Sequence, residues 1–187
     1  RGHRIRLAVS NSQWPMFWPT PYRMTTKLEL GGADGARISL PVVPAAKRGG
    51  PKFRKPAPDP VMAGFETLDA GNITGYGEID RVEIDPVTGE AYGVASNSGS
   101  TRYPWGIETF RERIEHRTSN ENPANTSVKG VYSITQELVD RVLKFEQEVT
   151  FSSDVDNFRL IFDRRLKIDG EVVKEKRWDE TIPRDFQ

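Results

Sequence analysis

Cysteine is absent from the 187 residues, which removes disulfide scaffolds, thiol nucleophiles and thiolate metal sites together. Histidine is scarce, with only His3 and His116, so a transition-metal site drawing on several nitrogen or sulfur ligands is not expected. Neither sign of charge is in excess. Lys and Arg number 27, as do Asp and Glu, and the balance offers no basic face for nucleic acid or for an anionic membrane. No apolar run approaches the roughly 18–20 residues of a membrane span, and no basic-then-apolar leader opens the chain. A cytosolic protein fits this composition, with neither cofactor nor metal expected.

The catalytic inventory is equally thin. No G-x-S-x-G pentapeptide, Walker motif or Rossmann glycine fingerprint occurs, so the strained nucleophile turn and the phosphate cradles lack their usual signatures. Ser98-Gly99-Ser100 lacks the second glycine of a nucleophile elbow and is expected in a loop between weak strands. His3 reads as a structural or surface residue. His116 closes a run of alternating charge, Arg111 to Arg117, that reads as a solvated strand face. Asp154 and Asp156 bracket Val155 as they would in a turn, without an EF-hand pattern around them. No residue is expected to be catalytic.

What the chain does have is strand pattern and turns. Ile5, Leu7 and Val9 alternate with Arg4, Arg6 and Ala8, the period-two signature of a strand with one buried face. Thr26–Leu30 and Ala36–Leu40 flank the glycine-rich Gly31–Gly35 and predict a hairpin. From Pro44 to about Pro60 the chain turns polar and rich in proline and glycine, a connector composition. Beyond it, Arg81–Ile84, the turn Asp85-Pro86-Val87-Thr88-Gly89 and Ala91–Val94 begin an antiparallel meander. Trp105 to Glu115 continues it, with spacing that also admits a bulge or a short helical stretch. Leu143, Phe145, Val149 and Phe151, then Phe158, Leu160 and Phe162, alternate with polar neighbours, and Asp169-Gly170 is a favoured two-residue hairpin centre. Leu138, Val139, Val142 and Leu143 also fit helical spacing, so one short helix over Thr135 to Phe145 is the alternative there. The class is all-β: a jelly-roll or β-sandwich portion over 1–44, a connector over 45–62, and an antiparallel β-meander over 63–187.

One loop asks for a function by its composition. Trp14, Met16, Phe17 and Trp18, set among Pro15, Pro19 and Pro21, put more apolar surface in one loop than water accommodates, at roughly 1.5–3 kcal/mol per large side chain buried. These four are the candidates for a domain interface or a substrate pocket shared with a neighbouring domain. The bland reading makes the loop a plug for the end of a β-sandwich. Aromatic loops also stack on sugars, which makes a stand-alone carbohydrate-binding β-sandwich the alternative.

The segment Gly2-His3-Arg4-Ile5-Arg6-Leu7-Ala8-Val9-Ser10-Asn11-Ser12, with Trp14-Pro15 behind it and Leu40-Pro41-Val42-Val43-Pro44 further on, resembles the C-terminal domain of the X-prolyl dipeptidyl-peptidase-like serine hydrolases of the CocE/NonD family. The closing Arg177-Trp178-Asp179-Glu180-Thr181-Ile182-Pro183-Arg184-Asp185-Phe186 is similar to the terminal motif of a long-tailed subgroup. The pattern departs after Trp14, where many members carry a charged, asparagine-rich stretch instead of Met16-Phe17-Trp18-Pro19. The resemblance implies a bacterial-type hydrolase of esters or amides whose Ser-His-Asp triad lies on an α/β-hydrolase domain upstream of Arg1. This chain would then be a non-catalytic C-terminal region that packs on that domain and shapes substrate access, with association of identical copies left open. It also implies that the chain is a fragment, which suits an opening that enters a strand pattern at once.

Overall fold

The computed structural model describes residues 4–10, 13–41, 50–57, 64–71 and 78–185, with the backbone alone for 78–82. His3 and the end of the Leu40–Pro44 motif lie outside the described residues. The chain forms two compact units, one of residues 24–63 and one of residues 1–23 with 64–187.

The larger unit is an all-β antiparallel sheet, as its alternation predicts. Its strands are β1 (Glu66–Asp69), β2 (Glu78–Ile84), β3 (Glu90–Tyr103), β4 (Gly106–Ser119), β5 (Ser127–Leu138), β6 (Val142–Ser153), β7 (Asn157–Ile168) and β8 (Glu171–Pro183). From β3 to β8 each strand pairs with the next in sequence, while β1 and β2 share the other edge of β3. The turns carry this order. Asp85 Oδ1 accepts from the Val87 and Thr88 amides at 2.7 and 3.1 Å, fixing the β2–β3 reversal, and Gly89 closes it at φ 66°. Asp169 and Gly170 both have positive φ, 50° and 88°, the pair of left-handed residues that a type I′ hairpin needs. Asp154 Oδ1 accepts from the Asp156 and Asn157 amides, so the Asp154–Asp156 pair serves the β6–β7 turn, as expected.

Several expectations give way. No helix forms among the described residues. Residues 135–145 instead finish β5, turn with the Leu138 amide bonded to the Arg141 carbonyl at 2.9 Å, and begin β6. Val139, which would lie on the apolar face of the helix, is fully exposed. Strand β4 pairs with both neighbours without a register shift, so neither bulge nor helical stretch interrupts it. Ser98-Gly99-Ser100 sits inside β3, not in a loop. In the smaller unit the Thr26–Leu40 hairpin does not form. A single bridge between Leu30 and Ala36 and one backbone hydrogen bond, Ala36 to Glu29, are all that join the two arms. Residues 4–10 form no strand among the described residues. These segments have the side-chain alternation of strands but, among the described residues, no adjacent strand to complete their ladders, and a ladder rather than propensity is what holds a strand.

Candidate functional site

The register sorts the side chains of the sheet onto two faces of different chemistry. On one face the polar residues of β6, Lys144, Glu146 and Glu148, stand beside Arg165, Lys167 and Asp163 of β7. Ion pairs lace this face: Lys129 with Glu148 at 3.1 Å, Lys167 and Lys144 with Glu146 at 2.7 and 2.8 Å, and Arg177 with Asp163 at 2.8 Å. Hydrogen bonds from Lys144 and Lys167 hold the Glu146 carboxyl below its ordinary pKa. All of these side chains keep a quarter or more of their surface in solvent, and each pair is worth little alone. They mark the β5–β8 part of this face as the solvated one.

The opposite face is apolar. Ile114, Gly130, Val149 and Phe162 form one row across β4 to β7, and Phe110, Ile134, Phe145 and Leu166 form another. No side chain in these rows is fully buried. Among the described residues the buried hydrophobic side chains are Val94 and Ala124, so within this unit the described residues of the face have neighbours in their own layer and show no second layer above it. A sheet needs such a layer to bury its apolar side.

The aromatic loop covers one end of this face. Trp18 lies edge-on to Phe151 and Phe158, with ring centroids 4.7 and 5.8 Å away, and Trp14 meets Trp18 at 4.9 Å and His116 at 5.9 Å, both near perpendicular. The Trp18 Nε1 donates to Ser153 Oγ at 2.8 Å, and Ser153 Oγ in turn donates to the Ala124 carbonyl at 2.5 Å. Arg184, on the residue after β8, completes the anchor. Its guanidinium donates to the carbonyls of Pro19 and Asp154 at 2.8 and 2.9 Å and lies 4.8 Å over the Phe158 ring. Beneath, Thr126 is buried and bonds Thr118 Oγ1 and the Pro123 carbonyl, which fixes the β4–β5 loop under Ala124.

The four candidate residues therefore divide. Trp14 and Trp18 turn inward onto their own sheet, whereas Met16 and Phe17 are exposed by 74% and 68%. His116 is not the solvated strand residue its charged neighbours suggest. Alternation puts Glu115 and Arg117 on the charged face and His116 on the apolar one, where Trp14 covers it and burial depresses its pKa. The sequence holds no local signal for this, because the covering residue lies about a hundred positions away. Among the described residues no group of three or more acidic or histidine side chains is placed to hold a metal ion, and no helix is long and apolar enough to cross a membrane. No protein-family profile, curated protein or solved structure matches the chain.

Proposed function

We propose that this chain is the non-catalytic C-terminal region of a CocE/NonD-type serine hydrolase acting on ester or amide bonds. In this reading the triad lies on an upstream α/β-hydrolase domain, and the β region packs on that domain and shapes access to it. The observation that carries the proposal is the state of the segment matching the family motif. Ile5, Leu7 and Val9 keep strict strand alternation yet stand 83%, 61% and 58% exposed, outside any strand among the described residues. Leu28, Leu30, Ile38 and Leu40 in the smaller unit are likewise exposed. Apolar alternation of this kind is selected by a sheet that buries one side, and in this reading the upstream region of the same protein supplies that sheet. Exposed Met16 and Phe17 supply the side-chain types enriched in interface cores.

The carbohydrate-binding alternative needs Trp14, Phe17 and Trp18 to offer flat stacking faces. The two indoles are instead mutually perpendicular and lie against the protein's own sheet, so no observation favours it.

The test is an assay of the purified 187-residue chain against p-nitrophenyl acetate and Ala-Pro-p-nitroanilide. The proposal expects no turnover. Turnover abolished by a serine-directed phosphonate, in material free of longer chains, would refute it.

A further inference from the structure

One central row of the apolar face is polar and graded in charge from side to side, and towards the two ends of β8 the same face also carries Glu171 and Glu180. Asn97, Glu112, Tyr132, Gln147, Arg164 and Lys176 stand in register from β3 to β8: acid on β4, neutral amide and phenol in the centre, base on β7 and β8. Glu108 adds a second acid on the β4 side, where it accepts from Gln136 at 2.8 Å. Among the described residues no cation pairs with Glu108 or Glu112, and no carboxylate pairs with Arg164 or Lys176. Arg164 lies 4.8 Å over Phe145, and Lys176 lies 4.2 Å over Trp178, so the bases are held down on the rings of this face. Covering the row with an apolar surface would strand buried charges at a prohibitive cost, so its cover must bring the opposite charges.

A second copy of the chain cannot do this. Face-to-face pairing of identical sheets needs a two-fold axis in the plane between them. An axis across the strands sets β4 against β4 and β7 against β7, acid toward acid and base toward base. An axis along the strands, between β5 and β6, does bring Glu112 opposite Arg164. It also brings the two aromatic loops to the same end. Each loop reaches from His116 on β4 to Phe158 on β7, while faces packed about 10 Å apart leave room for their side chains only.

We infer that the face is covered by a non-identical surface, the catalytic domain proposed above. That surface is apolar and carries a cation against Glu108 and Glu112 and an anion against Arg164 and Lys176. The inference rests on the proposed function for the identity of the partner, though not for its chemistry. The three central rows over five strands span roughly 24 by 20 Å at about 4.8 Å per strand and about 6.8 Å per residue pair. Two such surfaces together bury on the order of 1,000 Å², about the threshold for a specific interface.

Hydroxyl-radical footprinting of the 187-residue chain and of the whole gene product tests this. Phe110, Tyr132, Phe162 and Trp178 are expected to oxidise at least about fivefold more slowly in the whole protein, with Tyr92 on the charged face unchanged. In the whole protein, Arg164→Glu combined with Lys176→Glu should return the four residues toward their rates in the shorter chain, whereas Arg164→Lys should not. Equal rates in the two proteins, or protection in the shorter chain through a dimer of twice its mass by light scattering, would overturn the inference. Protection by an upstream domain that labels with no serine-directed probe would support the docking surface while removing the hydrolase reading.

Discussion

Arg184 Nη2 donates to the carbonyl oxygen of Pro19 at 2.8 Å across 165 residues of sequence. The contact ties the aromatic loop to the last strand of the sheet. The same guanidinium bonds the Asp154 carbonyl and covers Phe158, so one buried side chain holds the loop, the β6–β7 turn and the end of β8 together.

Arg184→Ala should therefore release the loop, not merely lose a surface charge. The expected cost is about 2–3 kcal/mol for charge-assisted bonds lost from a buried site. Denaturant unfolding would measure it, and the emission of Trp14 and Trp18 should shift to the red in the native baseline. Arg184→Lys should not restore stability, because an ammonium cannot span the Pro19 and Asp154 carbonyls with the planar fork of a guanidinium.

Trp18 contributes packing and one hydrogen bond, and two substitutions separate them. Trp18→Phe keeps an aromatic ring against Phe151 and Phe158 but loses the bond to Ser153, at about 1 kcal/mol. Trp18→Ala also opens the cluster, at about 3 kcal/mol. Met16→Ala, at a side chain 74% exposed, should leave the stability of the chain within about 0.5 kcal/mol. Comparing the unfolding midpoints of the three variants checks the order.

His116 predicts a pH dependence. Burial lowers its pKa, so the folded state favours the neutral imidazole and the unfolded chain binds the proton more readily. Stability should be flat above the ordinary imidazole value of about 6.5 and fall as pH drops below it. The facing residues, Gly93 on β3, Val128 on β5 and Trp14, carry no charge that would oppose this. The carboxylates with lowered pKa, Asp85, Glu146 and Asp154, lose their contributions only at lower pH, near and below their ordinary range. Thermal melts from pH 7.5 to 5 should show a decline that His116→Phe flattens.

Two turn glycines should differ in their sensitivity. At Gly106, with φ 154°, an added Cβ would lie 2.2 Å from the Glu137 carbonyl oxygen, combining a glycine-only backbone with a clash. Gly106→Ala should cost about 3 kcal/mol or more. At Gly170, φ 88°, nothing lies within reach of an added Cβ, so Gly170→Ala should cost only the left-handed backbone penalty of about 1–2 kcal/mol. Chemical denaturation of both variants gives the comparison.

Legibility in the sequence followed how local each interaction is. The Asp169-Gly170 hairpin and the Asp85 and Asp154 turns were readable because each is built by residues two or three positions apart. The strands after Leu143 were readable because Leu143, Phe145, Val149 and Phe151, then Phe158, Leu160, Phe162 and Leu166, keep period two despite polar Gln147 and Arg164 on the same face. Residues 135–145 were ambiguous because Leu138, Val139, Val142 and Leu143 satisfy helical spacing. A reversal at Val139–Arg141, stabilised by β6 pairing back on β5, decides the matter. Ile5–Val9 and Thr26–Leu40 carry strand pattern, but among the described residues no neighbouring strand pairs with them. The burial of His116 and the anchoring of Trp18 by Ser153 join residues more than a hundred positions apart, and no window along the chain contains both partners.

The central claim is that the reaction belongs to a domain outside these residues. The most direct measurement is labelling of the whole gene product with a fluorophosphonate, followed by peptide mapping of the adduct. The account predicts a single modified serine upstream of Arg1, with Ser98, Ser100 and every other serine of residues 1–187 unlabelled. An adduct on any serine within those 187 residues, with activity lost in proportion, would contradict it.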